Sequence, residues 1–101
     1  MSDFRARYER HVQHVLNGDV RSALAEMVQE NLPQVFEGVT VPGRVVHSLR
    51  IVDVRQEGDT WVGETVYTTP EGKIGLRSIW EEHGGEWLAA RLENFPVQDA
   101  S

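Results

Sequence analysis

The chain has 101 residues, 10 Lys+Arg against 16 Asp+Glu, a net charge of −6 and a mean hydropathy of −0.42. That length holds one domain, its 40% hydrophobic content fits an ordinary globular fold, and its acidic balance argues against a nucleic-acid-wrapping role, which needs clustered cations. With zero cysteines there is no disulfide framework, thiolate metal site or cysteine nucleophile.

No apolar run approaches the ~18 residues of a membrane span. The start, Met1-Ser2-Asp3-Phe4-Arg5, lacks the basic-then-apolar pattern of a secretion signal, so a cytoplasmic protein is expected. The basic residues are nearly all Arg, Lys73 being the exception. That bias fits coding preference or recognition of carboxylates by guanidinium groups.

Residues 3–17 read as a helix, because Phe4, Tyr8, Val12, Val15 and Leu16 fall on one face. Asn17-Gly18-Asp19 then breaks the chain, with Gly18 suited to a left-handed turn and Asp19 to an N-cap. A second helix follows from Val20 to about Val28, its stripe being Val20, Ala23, Leu24, Met27 and Val28. Asn31-Leu32-Pro33 is expected to end it.

From Gln34 the period becomes two. Gln34–Val41 reads as a short edge strand closed by Pro42-Gly43. Four longer strands are predicted at Arg44–Arg55, Thr60–Thr68, Ile74–Glu82 and Trp87–Phe95. Three-residue loops at Glu57–Asp59 and Pro70–Gly72, and the pair Gly84-Gly85, are expected to join them as hairpins. Residues 1–97 therefore read as one α+β domain, two helices packed on a curved antiparallel sheet of four to five strands, and 98–101 as a frayed tail.

Those loop lengths pair Val52 with Glu64, Glu64 with Ser78, Val62 with Trp80, Ser78 with Arg91 and Trp80 with Ala89. One face then carries Val54, Val62, Val66, Leu76, Trp80 and Ala89 around a polar row, Glu64–Ser78–Arg91, with Arg50 and Glu93 beside it. The other carries Leu49, Ile51, Trp61, Tyr67, Ile79, Leu88 and Leu92. Two short helices cannot cover both apolar faces, so the second is expected to form a homodimer interface.

The segment from Tyr8 to Met27, YERHVQHVLNGDVRSALAEM, and the later GDTWVGETVYTTPEGKIGLRSIWEEHGGEWLAARLENF together resemble the nuclear-transport-factor-2-like superfamily, which includes ketosteroid isomerases and SnoaL-like polyketide cyclases. The resemblance rests on an aromatic of the first helix, the Gly-Asp break, the Ala/Leu-rich second helix and a Trp after the last hairpin. It implies a cystatin-like cone, with a pocket for a small apolar ligand between helices and sheet. The superfamily's third helix is missing, only Leu32–Gly43 standing in its place. The family's isomerases use a first-helix Tyr and an Asp past the second helix. Here Tyr8 lies about one turn from the family position, His11 closer to it, and Glu37 stands where the Asp would be. The second acid donor of the isomerases has no counterpart in the last two strands, so their activity is not carried over.

The pocket candidates are therefore Tyr8, Glu64, Ser78, Trp80 and Arg91, and the carboxylates or hydroxyl able to do acid–base chemistry are Glu64, Glu37 and Tyr8. Glu64–Ser78–Arg91 reads as a satisfied ion pair, a ligand contact or a catalytic group; Tyr8 as core or pocket donor. His11 and His14 are spaced like metal ligands but lack further partners, His47 falls on the dimer face and His83 in a turn, so no metal or cofactor is expected. Ser78 has no His on its face for a triad, and no phosphate or dinucleotide loop is present. The reading is a dimeric small-molecule-binding protein, with an isomerase-, cyclase- or dehydratase-type enzyme and a non-catalytic interaction domain as alternatives.

Overall fold

In a computed structural model the described residues are 4–97; the expected frayed tail, 98–101, lies outside them. The apolar stripe of the first helix folds as α1, Phe4–Leu16, burying Phe4, Tyr8, His11 and Val12. It stops at Gly18, whose φ of +72° is left-handed and whose missing Cβ leaves room for the Arg44 carbonyl. Asp19 caps α2, Val20–Ala25, by accepting from the Ser22 amide at 3.2 Å. Hydrogen bonding from the Ser22 side chain, and next from its backbone amide, holds the Asp19 carboxyl below its usual range.

Helix α2 is shorter than expected, and the reason lies in the sheet. At Glu26 the chain leaves the helix to pair with the last strand: the Ala89 amide donates to the Glu26 carbonyl at 3.0 Å and the Val28 amide to the Ala89 carbonyl at 2.8 Å. The segment expected to break the second helix instead makes two helical turns, a 3₁₀ turn at Gln29–Asn31 and α3 at Leu32–Val35. Pro33 sits in the first turn of α3, where its missing N–H costs nothing, so it starts a helix rather than ending one. The edge strand expected at Gln34–Val41 does not form.

The four predicted strands are present as β1 Ser48–Glu57, β2 Thr60–Thr69, β3 Gly72–His83 and β4 Glu86–Asn94, in the order β1-β2-β3-β4 and all antiparallel. Their register differs from the expected one at three points. The β2–β3 turn has two residues, Pro70-Glu71, not three, because Thr69 closes it: its Oγ1 donates to the Gly72 carbonyl at 2.8 Å and accepts from the Glu71 amide at 3.2 Å. Glu64 therefore faces Arg77, Gly63 faces Ser78 and Val62 faces Ile79. The β1–β2 turn is also two residues long, so that Glu64 opposes Asp53, and a bulge at Val52 then shifts the ladder and sets Ile51 opposite Thr65. A second bulge, at Ala90, keeps Trp80 opposite Ala89 as expected but moves Ser78 opposite Leu92. The Ala90 carbonyl, freed by the bulge, accepts from Asn31 Nδ2 at 2.9 Å.

Because side chains alternate across a strand, one shift in register moves a whole set to the other face. The inner face, packed on the helices, holds Leu49, Ile51, Val54, Trp61, Tyr67, Leu76, Trp80, Trp87, Ala89 and Leu92. Phe4 stacks on Trp61 (5.1 Å between centroids) and meets Trp80 and Trp87 edge-on, forming the centre of the core. Of the residues expected at a dimer face, Leu49, Ile51, Trp61, Tyr67 and Leu92 thus lie beneath the helices, and only Ile79 and Leu88 stay on the outer face.

Candidate functional site

An apolar cavity of about 320 Å³ lies between the helices and one end of the inner sheet face. Val15 of α1, Leu24 of α2 and Met27 wall one side, and Leu76 of β3 and Leu92 of β4 the other. The connector to β1 closes it with Phe36, Val41 and Pro42. Asn94 ties that connector to the end of β4, accepting from the Thr40 amide at 2.7 Å and donating to the Thr40 carbonyl at 2.8 Å. The amide side chain thereby completes a strand-like pair that the backbone there does not make. Val20 and Val41, 45% and 38% exposed, place the wall's exposed apolar surface on α2 and on this connector.

His11 is the one wall residue with a side-chain nitrogen or oxygen. Its ring stands edge-on to Trp80, 4.9 Å between centroids, and Nδ1 lies 3.0 Å from Glu26 Oε1. Glu26 is buried where α2 turns into the pairing with β4, and its Oε2 accepts from Arg7 Nη1 at 3.0 Å. Arg10 and His14 stand 3.5 and 3.8 Å from the same oxygen. Burial pushes the Glu26 carboxyl up, but the His11 hydrogen bond and the charges of His11, Arg7 and His14 together outweigh it and hold it below the usual range. A charged carboxylate only accepts, so Nδ1 of His11 carries the proton and donates it.

Tyr8, Glu64, Ser78, Trp80 and Arg91, expected to line the pocket between helices and sheet, do not line this cavity. Tyr8 is in the core, where its hydroxyl meets Thr65 Oγ1 at 2.5 Å and burial pushes it up to about 12. Ser78 accepts from Trp80 Nε1 at 2.8 Å, both buried. These four groups satisfy one another inside the protein.

Glu64 and Arg91 are on the outer face, and the expected row of Glu64, Ser78 and Arg91 does not exist. Instead Arg77 Nε donates to Glu64 at 2.6 Å and its Nη1 to Glu93 at 3.1 Å, while Arg55 Nη1 lies 3.3 Å from Glu64 and Arg91 donates to Glu93 at 3.2 Å. Arg55 also pairs with Asp53 and Glu57, at 2.8 and 2.6 Å. The hydrogen bond and charge of Arg77 hold the Glu93 carboxyl below its usual range. The network occupies the same face as Val62 and Val66, only 2% and 6% exposed. Glu37 is exposed on the connector. His47 and His83 are exposed too, His83 pairing with Glu81 at 3.0 Å.

His11 carried a signal in the sequence that spacing to metal ligands obscured, since it falls within the apolar arc between Tyr8 and Val15; Glu26 carried none. No group of three or more His, Cys, Asp or Glu side chains among the described residues could hold a metal ion. No helix among them is long and apolar enough to cross a membrane. Comparison of the chain with protein-family models, curated proteins and solved structures finds no match.

Proposed function

We propose that the protein binds one small, predominantly apolar molecule in the cavity between its helices and sheet, as a reduced domain of the nuclear-transport-factor-2-like type with a cone pocket. The carrying observation is the cavity: about 320 Å³, apolar on nearly every side, at the small end of the roughly 300–1,000 Å³ of ligand sites. Its position under the first two helices supports that reading, and the four-residue α3 lies within the Leu32–Gly43 stretch where a longer third helix was not expected. Binding is favoured over turnover because no carboxylate reaches the wall, and Glu64 is held by arginines on the opposite face. For self-association the outer face is the surface proposed, since Ile79 and Leu88 remain only partly covered there.

The neutral fluorophore N-phenyl-1-naphthylamine tests the reading. It is expected to bind the protein saturably at one site with enhanced emission, and Ala23→Leu, which adds three carbons to the cavity wall, is expected to weaken the enhancement sharply while the protein stays folded. Equal enhancement in both proteins contradicts it.

A further inference from the structure

The cavity's single polar side chain is held in one hydrogen-bonded orientation. Nδ1 of His11 donates to Glu26 Oε1, and Glu26 is fixed in turn by Arg7 and Arg10. In a neutral imidazole with Nδ1 protonated, Nε2 bears a lone pair and only accepts. Among the described residues Nε2 has no hydrogen-bond partner, yet none of their fully buried polar side-chain atoms lacks one. Nε2 is therefore open to solvent or to a guest, on a residue that forms the cavity wall. A guest that covers this acceptor with apolar surface and leaves it unmet forfeits the hydrogen bond that solvent could give it.

Resting on the ligand-binding reading above, we infer that the ligand carries a hydroxyl, of an alcohol or phenol, that donates to His11 Nε2, with Glu26 as the positioning residue that fixes the tautomer. The same lone pair disfavours a carbonyl or carboxylate at that point, because two acceptors then face each other. The cavity wall supplies affinity for the apolar body, and His11 supplies the choice of headgroup.

The experiment compares naphthalene, 1-naphthol and 1-naphthoate by calorimetry. Wild type is expected to bind naphthalene and to prefer 1-naphthol, and His11→Phe to keep naphthalene binding while losing about five- to tenfold of that preference. Nitrogen-resolved imidazole spectra of wild type are expected to show His11 as the Nδ1–H tautomer, with the Nε2 signal moving on addition of 1-naphthol. Glu26→Gln is expected to mix the tautomers and weaken the preference, which a merely structural Glu26 would not do. Naphthalene failing to bind wild type removes the cavity reading itself. Naphthalene binding with an unchanged preference in His11→Phe overturns the hydroxyl inference alone, as does tighter binding of 1-naphthoate than of 1-naphthol. If His11→Phe does not fold, an Nε2–H tautomer in wild type overturns it.

Discussion

The ring of Tyr8 occupies the space that a side chain at Gly63 would need: a Cβ there would lie 2.4 Å from ring atoms Cε1 and Cζ. The ring cannot swing away freely, because its hydroxyl is fixed on Thr65 and Phe4 and Trp80 pack against it. Gly63 thus sets how closely α1 approaches β2, and with it the height of the space under the helices. Gly63→Ala is expected to cost about 1–3 kcal/mol, the ordinary range for overpacking a tight core. Urea denaturation measures it, and a loss well under 1 kcal/mol would show that the ring yields.

Glu26 links stability to acid. Its carboxyl titrates lower in the folded chain than in the unfolded one, so its contribution is present above the unfolded value and lost as pH falls through the folded one. Against Glu26→Gln, the wild type is therefore expected to show an excess urea midpoint at neutral pH that shrinks as pH falls through and below the ordinary carboxylate range. A gap independent of pH would mean that the ion pairs with Arg7 and Arg10 contribute nothing specific to the charged form.

Glu64 is expected to matter for stability and not for binding. Replacing it by Gln leaves Arg55 and Arg77 facing each other without their shared anion, at a cost of about 1–2 kcal/mol given their partial exposure. Affinity for a cavity probe should stay within twofold, because the sheet lies between Glu64 and the cavity. A tenfold fall in probe affinity without loss of stability would return Glu64 to the site.

Asn94 is expected to hold the cavity's outer wall. Asn94→Ala removes both hydrogen bonds to Thr40, so exchange of the Thr40 amide should accelerate by about tenfold or more while β2 amides stay protected. Unchanged protection at Thr40 would show that the connector closes without the clamp.

The helix starts, the four strands and their hairpin order were legible because each rests on local chemistry: the stripe Phe4–Tyr8–Val12, the Gly18-Asp19 cap and the positive φ of Gly84 and Gly85. Sheet faces were not legible, for a counting reason. Thr69 closes its turn with its own hydroxyl, which shortens the loop by one residue and turns Glu64 outward. The bulge at Ala90 is likewise settled by tertiary partners, Glu26, Val28 and Asn31 pairing with β4, and the bulge at Val52 has no mark in the local sequence. The same tertiary pairing ends α2 early and places Glu26 against His11. Nothing in the spacing of either residue foretells that contact; only the polar residue inside an apolar arc hints at it.

The central claim is that the guest enters between helices and sheet, and methyl spectra during a naphthalene titration test it most directly. The account predicts that the methyl signals of Val15, Leu24, Met27, Leu76 and Leu92 shift together along one saturating curve, while those of Val62, Val66 and Ile79 on the outer face do not move. No saturable shift, or one centred on Ile79 and Val62, would contradict it.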